Sequence, residues 1–331
     1  MGAIQGAYSY SQKLNESLNN IRIVTNKSVE DMSRFAAEAN KAAKALSAST
    51  IDYTDASLIY YQQGLTDEQV RQRADVTIKM ANVSRQSAEI VSDQMTAIWN
   101  NFYDGSKSLE YYADVVTALG AATASSSEEI SQGLEKFAAV AETVGLSYEY
   151  ATAALATVTS TTRQSADVVG TAFKTLFARI QDLNLGKTLD DGTTLGKYSE
   201  ALNKVGINIK DANGDLKDMD TVLEEMGAKW KTLSKDNQVA LAKSVAGIRQ
   251  YTQLIALMDN WDFMQKNLST AETAAGTLTD QAEIYAESWE AAQKRVKANA
   301  EKLYSTLIND EFFIDLTDTF ADLINLAGQF T

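Results

Sequence analysis

The stretch at residues 126–147, SSEEISQGLEKFAAVAETVGLS, contains one helix with both of its ends encoded locally. Ser126 and Glu129 form a capping-box pattern, in which each side chain satisfies a backbone N–H group at a helix start. Gly145 ends the pattern, because glycine adopts the positive φ of a helix C-terminus at little cost. Apolar residues between these ends recur at the spacing of one helix face, namely Ile130, Leu134, Phe137, Ala138, Ala141 and Val144.

Similar boundary signals recur along the chain. The junctions at 64–66 and 145–147 both read Gly-Leu followed by Thr or Ser. We predict that each glycine ends a helix and that each hydroxyl residue caps the next one, supported at the first junction by Gln69. Ser28 with Asp31 predicts another helix start. Such short connections are typical of consecutive helices that pack antiparallel to each other.

The composition also favours helices. The chain has 331 residues and contains no proline, histidine or cysteine. Proline breaks helix interiors, so a long chain without it is predicted to be mostly helical. We therefore expect an all-α fold, a multi-helix bundle of antiparallel amphipathic helices with one small β-hairpin near residues 206–218.

The expected hairpin lies in residues 207–220, INIKDANGDLKDMD, where Asp and Asn surround one glycine as in a calcium-binding loop. If Gly214 is placed at position 6 of an EF-hand loop, Ile209 falls at position 1. Its side chain has no oxygen that could bind calcium. Asn-Gly is instead a strong hairpin signal. A four-residue loop at 211–214 pairs Ile209 with Leu216 on one face. Asp220 is then predicted to cap the following helix.

The length suggests about two structural units. We predict an N-terminal helical part at 1–185, a glycine-rich loop at 186–198, and a hairpin with further helices at 199–331. Helical regions in the last part are expected at 220–267 and 272–310, followed by a short amphipathic tail.

Within residues 280–307 a heptad pattern predicts pairing with another helix. Its positions are Ala282, Tyr285, Trp289, Ala292, Val296, Asn299 and Leu303.

Several kinds of functional site are excluded or not predicted. Without His and Cys the chain cannot form a disulfide, a Cys or His zinc site, or a Ser-His-Asp triad. The GKT at 186–188 resembles the end of a phosphate-binding loop, but Gln181 stands where the motif needs glycine and a helix precedes it. We predict no catalytic, cofactor-binding or metal-binding residues. The carboxylate pairs at 128–129, 190–191 and 224–225 lie beside predicted helix starts or in loops, and we interpret them as solvated or as complementing helix dipoles.

The charge and hydropathy patterns limit the partners. The net charge of −14 opposes binding to nucleic-acid phosphates, so no specific nucleic acid is expected. No run of 18 or more apolar residues is present, so no membrane span is predicted. The tyrosine doublets at 60–61 and 111–112 are predicted to place one ring in the core and one at its margin. A partner-binding surface is the alternative left open for them.

Two long segments carry a family resemblance. Residues 57–84 contain the junction Gln63-Gly64-Leu65-Thr66, and residues 125–183 contain Gly145-Leu146-Ser147, then Gly170-Thr171-Ala172-Phe173-Lys174 and Arg179-Ile180. Asn213 to Leu216, Trp230 and Ala246-Gly247-Ile248-Arg249 follow in the same order. This ordered set resembles the core region of the tape measure proteins of long-tailed phages.

The resemblance implies a structural virion protein without enzymatic activity. Proteins of this family lie in the tail tube lumen, determine tail length during assembly and leave before DNA enters the host. The implied partners are further copies of the chain, as a trimer or hexamer, the tail tube protein, tail assembly chaperones, and distal tail or baseplate proteins. The implied locations are the tail lumen of the virion and the host cytoplasm during assembly. We expect the chain to represent the core part of a longer protein, or a short variant.

An alternative is a helical pore-forming or secreted toxin-like protein of bacterial origin. It requires an apolar or amphipathic hairpin that inserts into a membrane. The best stretch for this, at 236–258, is interrupted by Lys243 and Arg249.

Overall fold

The computed structural model describes residues 2–307, with side chains described for residues 9–302. This part of the chain is helical, which confirms the all-α class. The antiparallel arrangement of the helices stays a prediction. The helices are α1 (Gly2–Thr25), α2 (Val29–Ala45), α3 (Thr50–Gln62), α4 (Asp67–Ser84), α5 (Ala88–Phe102), α6 (Leu109–Ala122), α7 (Ser127–Thr143), α8 (Tyr148–Thr162), α9 (Ala166–Asn184), α10 (Leu195–Asn203), α11 (Met219–Trp230), α12 (Lys235–Asp259), α13 (Trp261–Glu272), α14 (Thr277–Ala286) and α15 (Trp289–Leu307).

The helix boundaries predicted from local signals are confirmed. Ser126 and Glu129 form the reciprocal capping box at the start of α7, and Ser28 does the same with Asp31 at α2. Thr66 and Gln69 exchange the equivalent bonds before α4. The glycines that end α3 and α7 take φ values of 76° and 68°. These boundaries are predictable because every bond involved joins residues close in sequence.

The chain divides into two compact units. In the described part, the first unit contains residues 2–78, 87–89 and 283–307. There α1, α2, α3 and α15 pack against one another. Its buried apolar side chains include Met32, Ala39 and Ala43 of α2 and Tyr53, Ala56 and Tyr60 of α3.

A buried polar cluster fixes α15 within the first unit. Glu301 is buried, and one of its carboxylate oxygens accepts hydrogen bonds of 2.9 Å from the backbone N–H and the hydroxyl of Thr50. Asn40 donates to the carbonyl oxygen of Ala298 at 3.1 Å. Burial raises the pKa of Glu301, while the bonds from Thr50 favour its charged form. Asn40 of α2 and Glu301 of α15 therefore hold α15 in place through hydrogen bonds close to Thr50, the first residue of α3.

The second unit contains residues 79–86 and 90–282. Its most extensive contact is between α7 and α9, and α8 packs against α13. Phe137 of α7 meets Phe173 and Phe177 of α9, with ring centroids 5.4 and 6.0 Å apart. The apolar stripe predicted for α7 therefore packs on α9 in one aromatic core.

Helix α8 is the most enclosed element of this unit. Every residue from Tyr150 to Thr159 is buried. Its sequence is rich in alanine and threonine, which are small enough for neighbouring helices to approach closely. The hydroxyls of Thr152, Thr157 and Thr159 donate to the carbonyls four residues earlier, at 2.6, 2.7 and 2.8 Å. Threonine is tolerated at these buried positions because its polar atom is satisfied within the helix.

The predicted β-hairpin is wrong. The segment contains one isolated antiparallel bridge, between Lys210 and Leu216, and no strand. Ile209 is buried, whereas Leu216 is exposed, so the expected pair on one face does not form. The side chain of Asp211 accepts the N–H groups of Asn213 and Asp215 and closes a five-residue turn in place of the predicted four-residue loop.

The prediction that Asp220 caps the next helix is also wrong. Asp218 occupies the N-cap position of α11, and Asp220 lies in the first turn. The start of α11 is fixed by another part of the unit, because the N–H of Met219 donates to the carbonyl of Val144 at 3.0 Å.

The helical region expected at 272–310 is interrupted. Helix α14 ends at Ala286, and Ser288 starts α15 by accepting the N–H of Ala291 on its hydroxyl at 3.1 Å. The predicted heptad seam is only partly covered where it is described, since Trp289 and Val296 are 78% and 68% exposed, whereas Ala282, Tyr285 and Ala292 are half-buried. The tail expected after residue 310 lies outside the described residues.

The helical region expected at 220–267 is divided into α11, α12 and α13. Helix α12 is itself broken at Gly247, whose φ of 76° and ψ of 169° belong to a region that only glycine populates readily.

The glycine-rich loop at 186–198 lies inside the second unit, and its last residues begin α10. Gly186, the glycine of the GKT sequence, directly follows the C-cap residue of α9 and has a φ of 78°, so it ends that helix. Arg179 of α9 anchors the loop through an ion pair of 2.7 Å with Asp191 and a hydrogen bond of 2.8 Å to Thr193. The three-part division of the sequence stays a prediction.

Candidate functional site

An open cleft of about 400 Å³ lies in the second unit, beside the starts of α8 and α11 and the end of α13. Its wall from α13 includes Leu268, and its wall from α8 includes Tyr150. Four carboxylates complete the lining, namely Asp220, Glu224 and Glu225 of α11 and Glu272 of α13. We refer to this feature as the acidic cleft.

Asp220 connects the two helix starts. Its two carboxylate oxygens accept the backbone N–H of Ser147, the N-cap residue of α8, at 3.1 and 3.2 Å. In a capping box this N–H is satisfied by the residue three positions later, but here that residue is Tyr150, which has no carboxylate. Asp220 of α11 therefore supplies the acceptor for this N–H group, which the sequence of α8 lacks.

The environment of Asp220 disfavours its charge. Burial raises its pKa to about 6, and the hydrogen bonds from Ser147 only partly oppose this effect. The nearby carboxylates of Asp218 and Glu149 raise the pKa further. No cation is among the charges that act on this group. The charge of Asp220 is therefore not neutralised by the surrounding described residues.

The other acids of the cleft differ in their partners. Glu225 forms an ion pair of 2.5 Å with Lys217. Glu224 accepts a hydrogen bond of 2.7 Å from the amide of Gln265, which leaves its charge in place. Glu272 ends α13 and forms no ion pair within the part of the chain that the structure describes. The partial negative charge of the α13 C-terminus adds to the charge of this last side chain.

Tyr150 contributes a polar atom without a partner. Its side chain is 2% exposed, and its hydroxyl makes no hydrogen bond in the structure. Burial raises the pKa of this phenol, and the carboxylates of Glu224 and Asp220 raise it further. The hydroxyl therefore lies close enough to the acids of the cleft to be affected by their charges. A buried hydroxyl without a partner is uncommon in folded proteins.

The acidic cleft does not have the arrangement of a metal centre. Nowhere in residues 2–307 do three or more acidic side chains come together in a way that could hold a metal ion. The walls instead offer separated carboxylates, one phenol oxygen and the apolar side chain of Leu268.

Comparison with known proteins identifies the family. The family model described as phage-related minor tail protein matches residues 36–247. The chain belongs to the phage-related minor tail protein family. The resemblance predicted from the sequence is thereby confirmed, and membership of this family supports a structural role in the phage tail rather than an enzymatic one.

One curated relative of this minor tail protein is the probable tape measure protein of Escherichia phage P2. The two sequences are 24% identical over 253 residues, which is 76% of this chain and 29% of the relative. The chain therefore matches less than a third of the length of that relative. No solved structure matches the chain.

The family match covers most of the acidic cleft. Residues 36–247 include the parts of α8 and α11 that line it, whereas the wall from α13 lies beyond the matched range. The same range contains the break of α12 as its last residue, Gly247.

The tyrosine doublets do not form a partner surface. All four rings are buried, at 0% and 5% exposed for Tyr60 and Tyr61 and at 6% and 3% for Tyr111 and Tyr112. Their hydroxyls bond within the protein, for example from Tyr112 to the carbonyl of Phe102 at 2.8 Å. The first doublet shows the expected division, because the hydroxyl of Tyr61 donates to Asp67, whose side chain is 70% exposed, whereas Tyr60 is fully buried.

Sequence patterns indicated little of the cleft. Asp220 does not cap its own helix as predicted. Glu224 and Glu225, interpreted as solvated or dipole-complementing, are half-buried in the cleft wall. Tyr150 and Glu272 carry no signal in the sequence that separates them from other tyrosines and glutamates. Their proximity depends on the packing of α8, α11 and α13.

None of the helices within residues 2–307 is both long and apolar enough to cross a membrane.

The raised pKa of Asp220 leads to an expected pH dependence of stability. Its value of about 6 lies above the usual value of about 3.9, so folding takes up a proton between these two pH values. The free energy of unfolding therefore falls as the pH rises through this window. For one half-buried carboxyl we expect a change on the order of 1–2 kcal/mol, after allowing for solvent screening.

Asp220→Asn tests this expectation. The asparagine oxygen still accepts the N–H of Ser147, so the variant is expected to be more stable than the wild type at pH 7.5 and equal to it near pH 4. Urea unfolding at several pH values measures the difference. Asp215→Asn removes one charge from an exposed turn and serves as the control. Equal pH slopes for the wild type and Asp220→Asn would contradict the assignment.

Proposed function

We propose that this chain is the core region of a tail tape measure protein. In this role it takes part in tail assembly and in length determination inside the tail tube, through protein–protein contacts, and is released for DNA ejection. The family match over residues 36–247 carries the proposal. The printed name of the phage P2 relative, a probable tape measure protein, supports the same role.

The partners proposed for this role follow from the tail location. They are further copies of the chain, as a trimer or hexamer, the tail tube protein, tail assembly chaperones, and distal tail or baseplate proteins. The chain is proposed to reside in the tail lumen of the virion, and in the host cytoplasm during assembly. Its net charge of −14 is consistent with a lumen through which DNA passes, because it disfavours binding to phosphates.

The helices suggest how this region contributes to length. A fully helical, extended chain of 331 residues would span about 500 Å at 1.5 Å per residue. The described helices are instead short and closed by local caps, and they bury their apolar faces within two compact units. We infer that this region acts as a folded body and that extended parts of a longer protein would supply most of the measured length.

An in-frame deletion in the phage gene tests the proposal. Removal of residues 36–247 is expected to reduce the number of assembled tails at least tenfold, because the contacts made by the folded region are lost. Negative-stain electron microscopy of lysates counts the tails and measures their lengths. Tails of normal number and length would refute the proposed function. Tails uniformly shorter by about 320 Å would refute the folded body, since that is the length of the deleted segment as a continuous helix.

A further inference from the structure

The acidic cleft combines uncompensated charge with an unused polar atom. Asp220, Glu224 and Glu272 have no cationic partner in the described part of the chain, and Glu225 alone is paired. The hydroxyl of Tyr150 is buried and makes no hydrogen bond. Burying a polar group without a partner destabilises the fold. A ligand that enters the cleft and bonds to this oxygen would remove that cost.

The chemistry of the walls defines the ligand. Separated carboxylates on α11 and α13 fit a group that carries several N–H donors in different directions. A guanidinium has five such donors and binds carboxylates at two points, whereas an ammonium is a compact point charge. Leu268 supplies an apolar surface beside the acids, which suits the hydrocarbon stem of a long basic side chain.

We propose that the acidic cleft binds an arginine side chain presented by a basic segment of a partner protein. The guanidinium lies between the carboxylates of Glu224 and Glu272. A small rotation of the Tyr150 side chain, whose hydroxyl has no exposed surface in the free protein, lets the guanidinium donate to the phenol oxygen. Asp220 adds negative charge while it keeps its bond to Ser147. Arginine binding is measured on the purified chain, so a failure to bind would not refute the tail function proposed above. A failure of the tail function would likewise not refute arginine binding.

A divalent metal ion is a poorer occupant. An ion such as Ca²⁺ needs six to eight oxygen ligands about 2.3–2.6 Å away. The described acids do not come together closely enough to form even a cluster of three potential ligands. A guanidinium spans a wider gap, because its donors extend outward from the central carbon.

The binding test compares two peptides on the full chain. The probe is acetyl-Gly-Leu-Arg-Leu-Gly-amide, and the control peptide carries citrulline, which keeps the shape of arginine without its charge. Chemical shifts in two-dimensional NMR spectra of the isotope-labelled protein follow the titration. We expect saturable binding with a Kd of about 0.1–1 mM at low salt. Shifts should concentrate at Tyr150 and Leu268, and the citrulline peptide should bind at least tenfold more weakly.

Two matched double variants distinguish arginine binding in the acidic cleft from general attraction to an acidic protein. The double variant Glu224→Gln/Glu272→Gln is expected to weaken arginine binding about tenfold. The double variant Glu128→Gln/Glu135→Gln removes the same charge from exposed positions of α7 and should change the Kd less than twofold. Equal losses in the two double variants would show non-specific attraction and would overturn the proposal.

Tyr150→Phe provides a test without a change of charge. Loss of the unpartnered hydroxyl should raise the Tm of the free protein by roughly 2–4 °C, because a buried polar atom is removed. The same change should weaken arginine binding about threefold. A purely structural role for the hydroxyl would lower the Tm and leave the Kd unchanged, and this result would refute the assignment. Saturation of the same resonances by 1 mM CaCl₂ would also refute it, since the occupant would then be a metal ion.

Discussion

Gly170→Ala is expected to lower the free energy of unfolding by about 2 kcal/mol, although alanine favours helices over glycine by about 1 kcal/mol. Gly170 of α9 faces Gly133 of α7 at the closest approach of the two backbones. A Cβ atom at Gly170 would lie 2.5 Å from the carbonyl oxygen of Gly133 and 3.1 Å from its Cα. Backbone atoms cannot rotate away, so the helices must separate and open the aromatic contact between Phe137 and Phe173.

Two further variants make this expectation specific. Gly196→Ala adds the same methyl group to an exposed position of α10, where the nearest described atom is 3.8 Å away, and should raise stability by up to about 1 kcal/mol. Gly133→Ala places its Cβ 2.6 Å from a terminal methyl of Leu155, a side chain that can move, and should cost less than Gly170→Ala. Urea unfolding measures all three. A Gly170→Ala protein as stable as the wild type would show that α7 and α9 are farther apart than in this structure.

Local signals in the sequence predicted the helix ends well. The caps at Ser28, Thr66 and Ser126 use bonds between residues three positions apart, so their sequence contains every partner. The positive φ values of Gly64 and Gly145 are also local requirements. These features are independent of how the helices pack, and a sequence pattern is sufficient to find them.

Features that depend on packing were not predictable in this way. The turn at 211–215 does not extend into strands, and the helix after it begins where Met219 bonds to Val144, more than 70 residues earlier. Gly247 looked like one more residue of a helix, yet its backbone angles break α12. The acidic cleft likewise joins α8, α11 and α13, which are distant in sequence. Nothing in any single segment indicates these arrangements.

One buried group could have been found from the sequence. Asp114 lies in α6 among apolar residues, and all residues from Tyr111 to Leu119 are buried. A carboxylate within such a segment requires hydrogen-bond donors. The complementary signal is Gly276, which precedes α14 and has no side chain to cap it. A search for uncapped helix starts together with isolated buried acids would have suggested this pair.

Asp114→Ala is expected to destabilise the second unit by about 3 kcal/mol, because it removes two bonds at once. The carboxylate of Asp114 accepts the N–H of Gly276 at 2.9 Å on one oxygen and the N–H of Leu278 at 2.8 Å on the other. It thus caps α14 from α6, and its negative charge lies at the positive end of that helix. Asp114→Asn keeps one accepting oxygen but directs an NH₂ group at the other N–H donor, so it should lose about 2 kcal/mol.

Hydrogen exchange distinguishes this role from a general loss of packing. Below the onset of unfolding, the amides of Gly276 and Leu278 should both lose protection first in Asp114→Ala, since their acceptors are gone, and one of the two should do so in Asp114→Asn, which keeps a single accepting oxygen. Asp93→Ala removes a carboxylate from an exposed position of α5 and should change stability by no more than about 0.5 kcal/mol, with these two amides unaffected. Unchanged protection of both amides in Asp114→Ala would mean that another acceptor caps α14. The hydrogen bonds to Asp114 would then not be what holds the start of α14 in place.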